Sequence, residues 1–203
     1  MYLWRIELDL SSPRVRLSLM DRQKLHQLVT GLFGASRKDA GLLYRYKTAG
    51  TKVLLYIYSS VPLDESRLSG DVRMTGERDV SAWLAGMGNG QILRFDLLTM
   101  PFKKVFDGTN KNSRRRLLRD PEERLAWLQR KAEQNGFSVL SVREDPAERI
   151  FGSHSAEKGG RLYLDTWRYT GALRITDEDL FRTAVQNGIG PDKAYGLGML
   201  LLA

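Results

Sequence analysis

The stretch "DPEERLAWLQRKAEQNG" (120–136) decides how this chain folds. Asp120 is a residue type that accepts the free N–H groups at a helix start. Pro121 suits the first helical position, and Glu122 and Glu123 follow where the helix dipole favours negative charge. Leu125, Leu128 and Ala132 predict the buried face, and Gly136 is a stop. The flanking segments "QILRFDLL" (91–98) and "FSVLSVRE" (137–144) read as strands, so the segment is the helix of a strand–helix–strand unit.

Working outward, "GRLYLDTWRYTGAL" (160–173) reads as the next strand, joined to the previous one through the polar connection "GSHSAEKGG" (152–160). Thr176, Asp177, Glu178 and Asp179 open another helix. Leu180, Phe181, Ala184 and Val185 are its apolar face, and Gly188 ends it. "YGLGMLLLA" (195–203) is the last strand, with Gly196 and Gly198 inside it. The order is β-α-β-β-α-β. The first half approximates the same order. "YLWRIELDL" (2–10) alternates as a strand does. Asp21 caps a helix whose stripe is Leu25, Leu28, Val29, Leu32 and Phe33, with Met20 and Leu25 as a hydrophobic staple and Gly34 as the stop. "LLYRYK" (42–47) and "KVLLYIYS" (52–59), joined by "TAGT", give a hairpin. "LDESRLSG" (63–70) holds a stunted helix, and "DVRMTGERDV" (71–80) a strand. The expectation is an α+β protein of two tandem ferredoxin-like (RRM-like) βαββαβ domains, 1–84 and 91–203, with "AGMGNG" (85–90) as the Gly-rich linker.

The composition fits a soluble globular protein: 203 residues, 42% hydrophobic and 28% charged. There is no cysteine, hence no disulfide, thiol nucleophile or cysteine metal site. No apolar run reaches the roughly 18 residues of a membrane span, and the N-terminus lacks a signal-peptide pattern, so a cytoplasmic protein without membrane attachment is expected. The formal charge is +8. It is concentrated in 101–119, where Lys103, Lys104, Lys111, Arg114, Arg115, Arg116 and Arg119 face only Asp107. Such a cluster is either the footprint of a polyanion such as nucleic acid, or a solvated charged loop.

The run "GIGPDKAYGLG" (188–198) has three readings. A dinucleotide loop fails, because Lys193 stands where the third glycine belongs and a helix precedes the run while a strand follows. A turn accounts for Gly188, Pro191 and Asp192. Gly196 and Gly198 ask for more, and N–H groups beside Lys193 offer a place for phosphate oxygens. Histidine is the side chain suited to proton transfer near neutral pH, and the chain has two. His26 borders the apolar stripe of its helix and is either structural or catalytic. His154 lies in the polar connection and reads as solvated. Lys24, Ser36, Arg37 and Lys38 lie near His26 in sequence, and nothing there selects one as a second group. The carboxylates show no metal-ligand spacing, and no cofactor is expected.

Four segments resemble, in order, the CasE family of CRISPR-RNA-processing endoribonucleases of type I-E systems. They are "MYLWRIEL" (1–8), "KLHQLVTGLFG" (24–34), "RLLRDPEERLAWLQRKAEQNGFSV" (116–139) and "GIGPDKAYGLGMLLLA" (188–203). The resemblance implies a metal-independent nuclease that binds the CRISPR repeat hairpin and cleaves at the 3′ base of its stem. It implies that the enzyme stays on the mature crRNA within the Cascade complex, next to the crRNA-coating backbone subunit. His26 falls on the family's catalytic histidine. The RNA grip falls on Lys103, Lys104, Arg114, Arg115, Arg116 and Arg119, and on Gly188, Gly190, Lys193, Gly196 and Gly198 of the glycine loop. The chain departs from the family's pattern in having Gln23 where some members have tyrosine, and Asp96, Leu98 and Met100 in a strand that is often arginine-rich. A non-catalytic hairpin-RNA-binding subunit of a ribonucleoprotein needs the same basic segment and loop, but not His26.

Overall fold

The computed structural model describes residues 1–105, 114–147, 149–153 and 160–203, with the backbone alone of Arg114. β1 (Tyr2–Asp9) buries Trp4, Ile6 and Leu8, the alternation of a strand with one covered face. Two helices follow, α1 (Pro13–Met20) and α2 (Arg22–Gly31). β2 (Leu43–Ala49) and β3 (Lys52–Ser59) form a hairpin closed at the pair Ala49–Lys52. A single 3-10 turn, Glu65–Arg67, precedes β4 (Val72–Asp79). These strands make an antiparallel sheet in the order β2-β3-β1-β4. The short helix α3 (Ser81–Ala85) leads out of it.

The second sheet is β12-β5-β11-β8, built from β5 (Ile92–Thr99), β8 (Phe137–Pro146), β11 (Trp167–Ile175) and β12 (Leu200–Leu202). α4 (Pro121–Gln134) and α5 (Glu178–Asn187) are its helices. Two hairpins are inserted: β6 (Phe102–Val105) with β7 (Arg114–Leu117), and β9 (Ile150–Ser153) with β10 (Arg161–Leu164). With the hairpins set aside, both sheets run fourth-first-third-second, the ferredoxin-like order, so the fold is a tandem of that unit. Each sheet has its own apolar cluster. Leu43 and Tyr58 of the first sheet join the second cluster with Val80, Leu84 and Met87, which glues the two halves along one seam.

Several expectations are corrected. α1 is a helix that the sequence reading leaves out; it forms because Ser12 accepts from the Val15 N–H and Pro13 occupies the first helical turn. Met20 does not staple α2, since it is 72% exposed at the end of α1. α2 ends at Gly31, and Gly34 takes its left-handed backbone (φ 60°) a few residues later. Leu125 and Leu180 lie on the solvent side of α4 and α5. Leu128 and Ala132 are buried as expected, and Arg124 and Trp127 complete the buried face of α4 in place of Leu125, which brings a guanidinium inward. The segment 160–173 is split between β10 and β11, with Thr166 buried between them. Gly196 and Gly198 precede the last strand rather than lying in it, because β12 begins only at Leu200.

Candidate nucleic-acid interface

α2 is held at its first turn by the Asp21 carboxylate, which accepts from the Gln23 N–H at 2.8 Å. The same carboxylate accepts from the Ser153 N–H at 3.1 Å and the Ser153 hydroxyl at 2.6 Å. The helix of the first half is thereby tied to the inserted hairpin of the second. Burial alone would raise the Asp21 carboxyl, but these hydrogen bonds outweigh it and hold it below the usual range. Leu25 and Val29 point into the first core, so His26, one position on from Leu25, emerges at its rim. Its Nδ1 is buried with no hydrogen-bond partner among the described residues. Burial lowers the imidazole pKa, and the nearby Arg37 guanidinium lowers it further. Of the four groups near His26 in sequence, Arg37 is the one whose charge reaches it. Ser36 is turned to Asp39 at 2.7 Å, and Lys24 and Lys38 are exposed.

The glycine run comes to this place from the other end of the chain. The 3-10 turn Lys193–Tyr195 packs against α2 and β2. The Tyr44 hydroxyl donates to the Ala194 carbonyl at 2.6 Å, and the Tyr195 ring lies over Gly152 and beside Arg22. Lys193 is half-buried. Its ammonium pKa is lowered by burial first, then by Arg37 and by Lys131 of α4. Among the described residues none of Lys193, Arg37 and Lys131 makes an ion pair with a carboxylate. His26 and Lys193, 167 positions apart, therefore sit on packed elements around one guanidinium.

Gly188, Gly196 and Gly198 are buried against protein atoms, and Gly190 is half-buried. Gly198 (φ 82°) shows why: a Cβ there would lie 2.6 Å from the Ile189 carbonyl oxygen, whose residue donates its own N–H to the Gly198 carbonyl at 2.8 Å. The close approach that the glycines permit is thus between strands of the loop itself, which fixes where Lys193 stands.

The expected basic segment is the β6–β7 hairpin. Lys103 and Arg116 both reach Glu123 of α4, each at 2.8 Å. Arg115 stacks over Phe102 and pairs with Asp192 of the glycine loop at 3.3 Å, which links the two expected RNA-contacting elements. Lys104 and Arg119 are exposed. Arg114 pairs through its backbone with Val105. Lys111, Asp107 and His154 lie outside the described residues. The unusual Asp96 is accounted for: its carboxylate receives Arg45 of β2 and Arg168 of β11, the latter at 2.5 Å from Nη2. Leu98 and Met100 pack beneath the β9–β10 hairpin with Ile150, Leu164 and Leu197. Asp96, Leu98 and Met100 thus make contacts within the protein.

A cavity of about 720 Å³ lies elsewhere along α1 and α2, lined by Arg14, Leu17, Lys24, Leu28 and Arg67, and neither His26 nor Lys193 borders it. Among the described residues no group of three or more His, Asp or Glu could hold a metal ion, and no helix is long and apolar enough to cross a membrane.

A tandem ferredoxin-like protein with a histidine and, among the described residues, cations without carboxylate partners at the junction of its halves is the class defined by this geometry. The chain belongs to the CRISPR-associated protein family, whose model matches residues 1–203. It is 31% identical over 123 residues to the CRISPR-associated endoribonuclease Cse3 of Thermus thermophilus, an alignment covering 56% of each chain. It is 33% identical over 122 residues to the Cascade subunit CasE of Escherichia coli, covering 56% of this chain and 59% of that one. These alignments span somewhat over half the length of either relative. A solved structure of CRISPR endoribonuclease Cse3 bound to a 19-nucleotide RNA matches the whole chain with a TM-score of 0.86 at 24% identity, which extends the likeness of fold to both halves.

Proposed function

We propose that this protein is an endoribonuclease that binds the CRISPR repeat hairpin and cuts precursor CRISPR RNA at the 3′ base of the stem. The observation that carries the reading is the packing of the turn that carries Lys193 on the helix that carries His26, with the charge of Arg37 acting on both. RNA carries its own nucleophile, the 2′-OH. A site for its cleavage has to move protons and stabilise a crowded phosphate, tasks suited to an imidazole and cations without a metal. His26 exchanges the proton of the 2′-OH, and Arg37 faces the scissile phosphate. Lys103, Lys104, Arg114, Arg115, Arg116 and Arg119 grip the stem, and the four glycines shape the loop that presents Lys193. The products are a 2′,3′-cyclic phosphate and a 5′-OH. The names of the relatives support an endoribonuclease and a place in Cascade. The mature crRNA and the crRNA-coating backbone subunit as partners, and the cytoplasm as the location, are parts of the same proposal. The two sheets, which share no strand, support units at 1–84 and 91–203 joined by 85–90.

The test is to incubate the protein with its repeat RNA, with and without EDTA, and map the ends. Cleavage at the stem base that survives EDTA and is abolished in His26→Ala, with hairpin binding retained, supports the reading. An uncut RNA that is tightly bound would make the chain a binding subunit only.

A further inference from the structure

Resting on the nuclease reading, we infer that Lys193 is a catalytic residue of the reaction, the general acid that protonates the departing 5′-oxygen while His26 acts as the base. Three features of the fold point to it. The 3-10 turn that carries Lys193 packs against the helix that carries His26, so both residues belong to elements of one junction. The turn is held rigidly: Tyr44 anchors Ala194, Arg115 holds Asp192, and Asp192 itself takes a left-handed backbone (φ 58°) to enter the turn. The ammonium is half-buried with Arg37 and Lys131 as its charged neighbours and no carboxylate partner among the described residues. A buried cation among cations is a cost to folding that an anion in the junction would offset, and the scissile phosphate is that anion.

The step balances as follows. The 2′-OH gives its proton to Nε2 of neutral His26 as the 2′-oxygen bonds to phosphorus. The bond from phosphorus to the 5′-oxygen breaks, and that oxygen takes a proton from the Lys193 ammonium. Imidazolium, neutral amine, 2′,3′-cyclic phosphate and 5′-OH remain, and solvent resets both groups. The environment suits the roles. Burial and Arg37 keep His26 neutral at pH 7 and make Lys193 a stronger acid than a free lysine, closer to the pH at which it must act.

The experiment compares ordinary repeat RNA with one in which sulfur replaces the leaving 5′-oxygen, a leaving group that departs without a proton. Single-turnover rates are measured at saturating protein for wild type, Lys193→Ala, Lys193→Arg and His26→Ala, with RNA affinity and melting temperature as controls. Lys193→Arg retains the charge but holds its proton too tightly to donate it. Both Lys193 variants should cut ordinary RNA about 10²–10⁴-fold more slowly and the sulfur RNA at near wild-type rate. His26→Ala should be slow on both. Equal defects of the Lys193 variants on the two substrates would overturn the assignment, as would a wild-type rate for Lys193→Arg on ordinary RNA. Rescue of His26→Ala by sulfur would also overturn it by reversing the roles. If wild type cuts neither RNA, the nuclease reading fails, and this role with it.

Discussion

Ser153 closes on Asp21 across 132 residues of chain, hydroxyl and N–H together, at 2.6 and 3.1 Å. Asp21 thereby caps the helix of His26 and moors it to the hairpin inserted in the other half. Asp21→Ala removes both functions. Loss of a cap costs about 0.5–2 kcal/mol, so melting should fall by a few degrees at most. The cleavage rate should fall further than that loss explains, because α2 is freed from β9. Asp21→Asn, which can still cap and accept from Ser153, should recover most of the rate, and Ser153→Ala should lie between. Equal rates in Asp21→Ala and Asp21→Asn would mean that the link does not position His26.

The charges at the junction predict a bell-shaped pH–rate profile. His26 must be neutral to accept a proton, so the rate rises with pH through a pKa below the ordinary imidazole value, set by burial and then by Arg37. Lys193 must be protonated, so the rate falls again through a pKa below the ordinary lysine value, set by burial, Arg37 and Lys131. Arg37→Gln removes a positive neighbour from both groups and should move both limbs to higher pH. Lys131→Gln should move the upper limb alone. Limbs that stay in place in Arg37→Gln would show that the profile reports other groups.

The tandem fold is legible in the sequence because each half carries caps, stripes and a hairpin in the same order. The differences are of phase and of short elements. Leu125 and Leu180 read as inward because leucine counts as apolar wherever it stands, while the burial of Arg124 depends on Glu144 and Trp167, 20 and 43 residues away. α1 is hard to see because the positions it buries are Val15 and the polar Ser18, while its apolar Leu17 and Met20 face solvent. At the site, His26 and Lys193 are visible as chemistry, but Arg37 cannot be told from its neighbours. Selecting it takes the fold that carries Lys193 back to α2. No local signal links Asp21 to Ser153, since a capping aspartate looks the same whether its second oxygen meets water or another domain.

The grip on RNA is restrained by the protein's own acids. Lys103 and Arg116 share Glu123, an exposed pair network that RNA phosphates must compete with. Glu123→Gln should therefore tighten hairpin binding, by up to about fivefold given the worth of surface ion pairs. Arg115→Gln with Arg116→Gln should weaken it. If both side chains meet phosphates, the log–log salt slope should flatten by about 0.7–0.9 for each. Affinity measured across a salt series separates the cases: a weaker complex with an unchanged slope would assign the arginines to base edges instead.

Asp96 stands in a strand where the resemblance leads one to expect arginines, and its structural role can be tested through acid. Burial alone would raise its carboxyl, but the hydrogen bond from Arg168 and the charge of Arg45 outweigh that and leave it below the usual value. A carboxylate depressed on folding adds stability that is full above its unfolded pKa and is lost as pH falls through the folded one. Asp96→Asn leaves Arg45, only 6% exposed, without its counter-charge. Breaking a buried pair in this way costs about 3–5 kcal/mol, so the variant should melt well below wild type at pH 7. The gap should begin to narrow only below about pH 4, where the carboxyl of the unfolded wild-type chain starts to take up its proton, and narrow further as pH falls through the lower folded value. A gap that is constant with pH would mean that shape rather than charge holds Arg45 and Arg168 together across the two halves. A gap that closes in acid would show that the charge of Asp96 clasps Arg45 of the first half to Arg168 of the second.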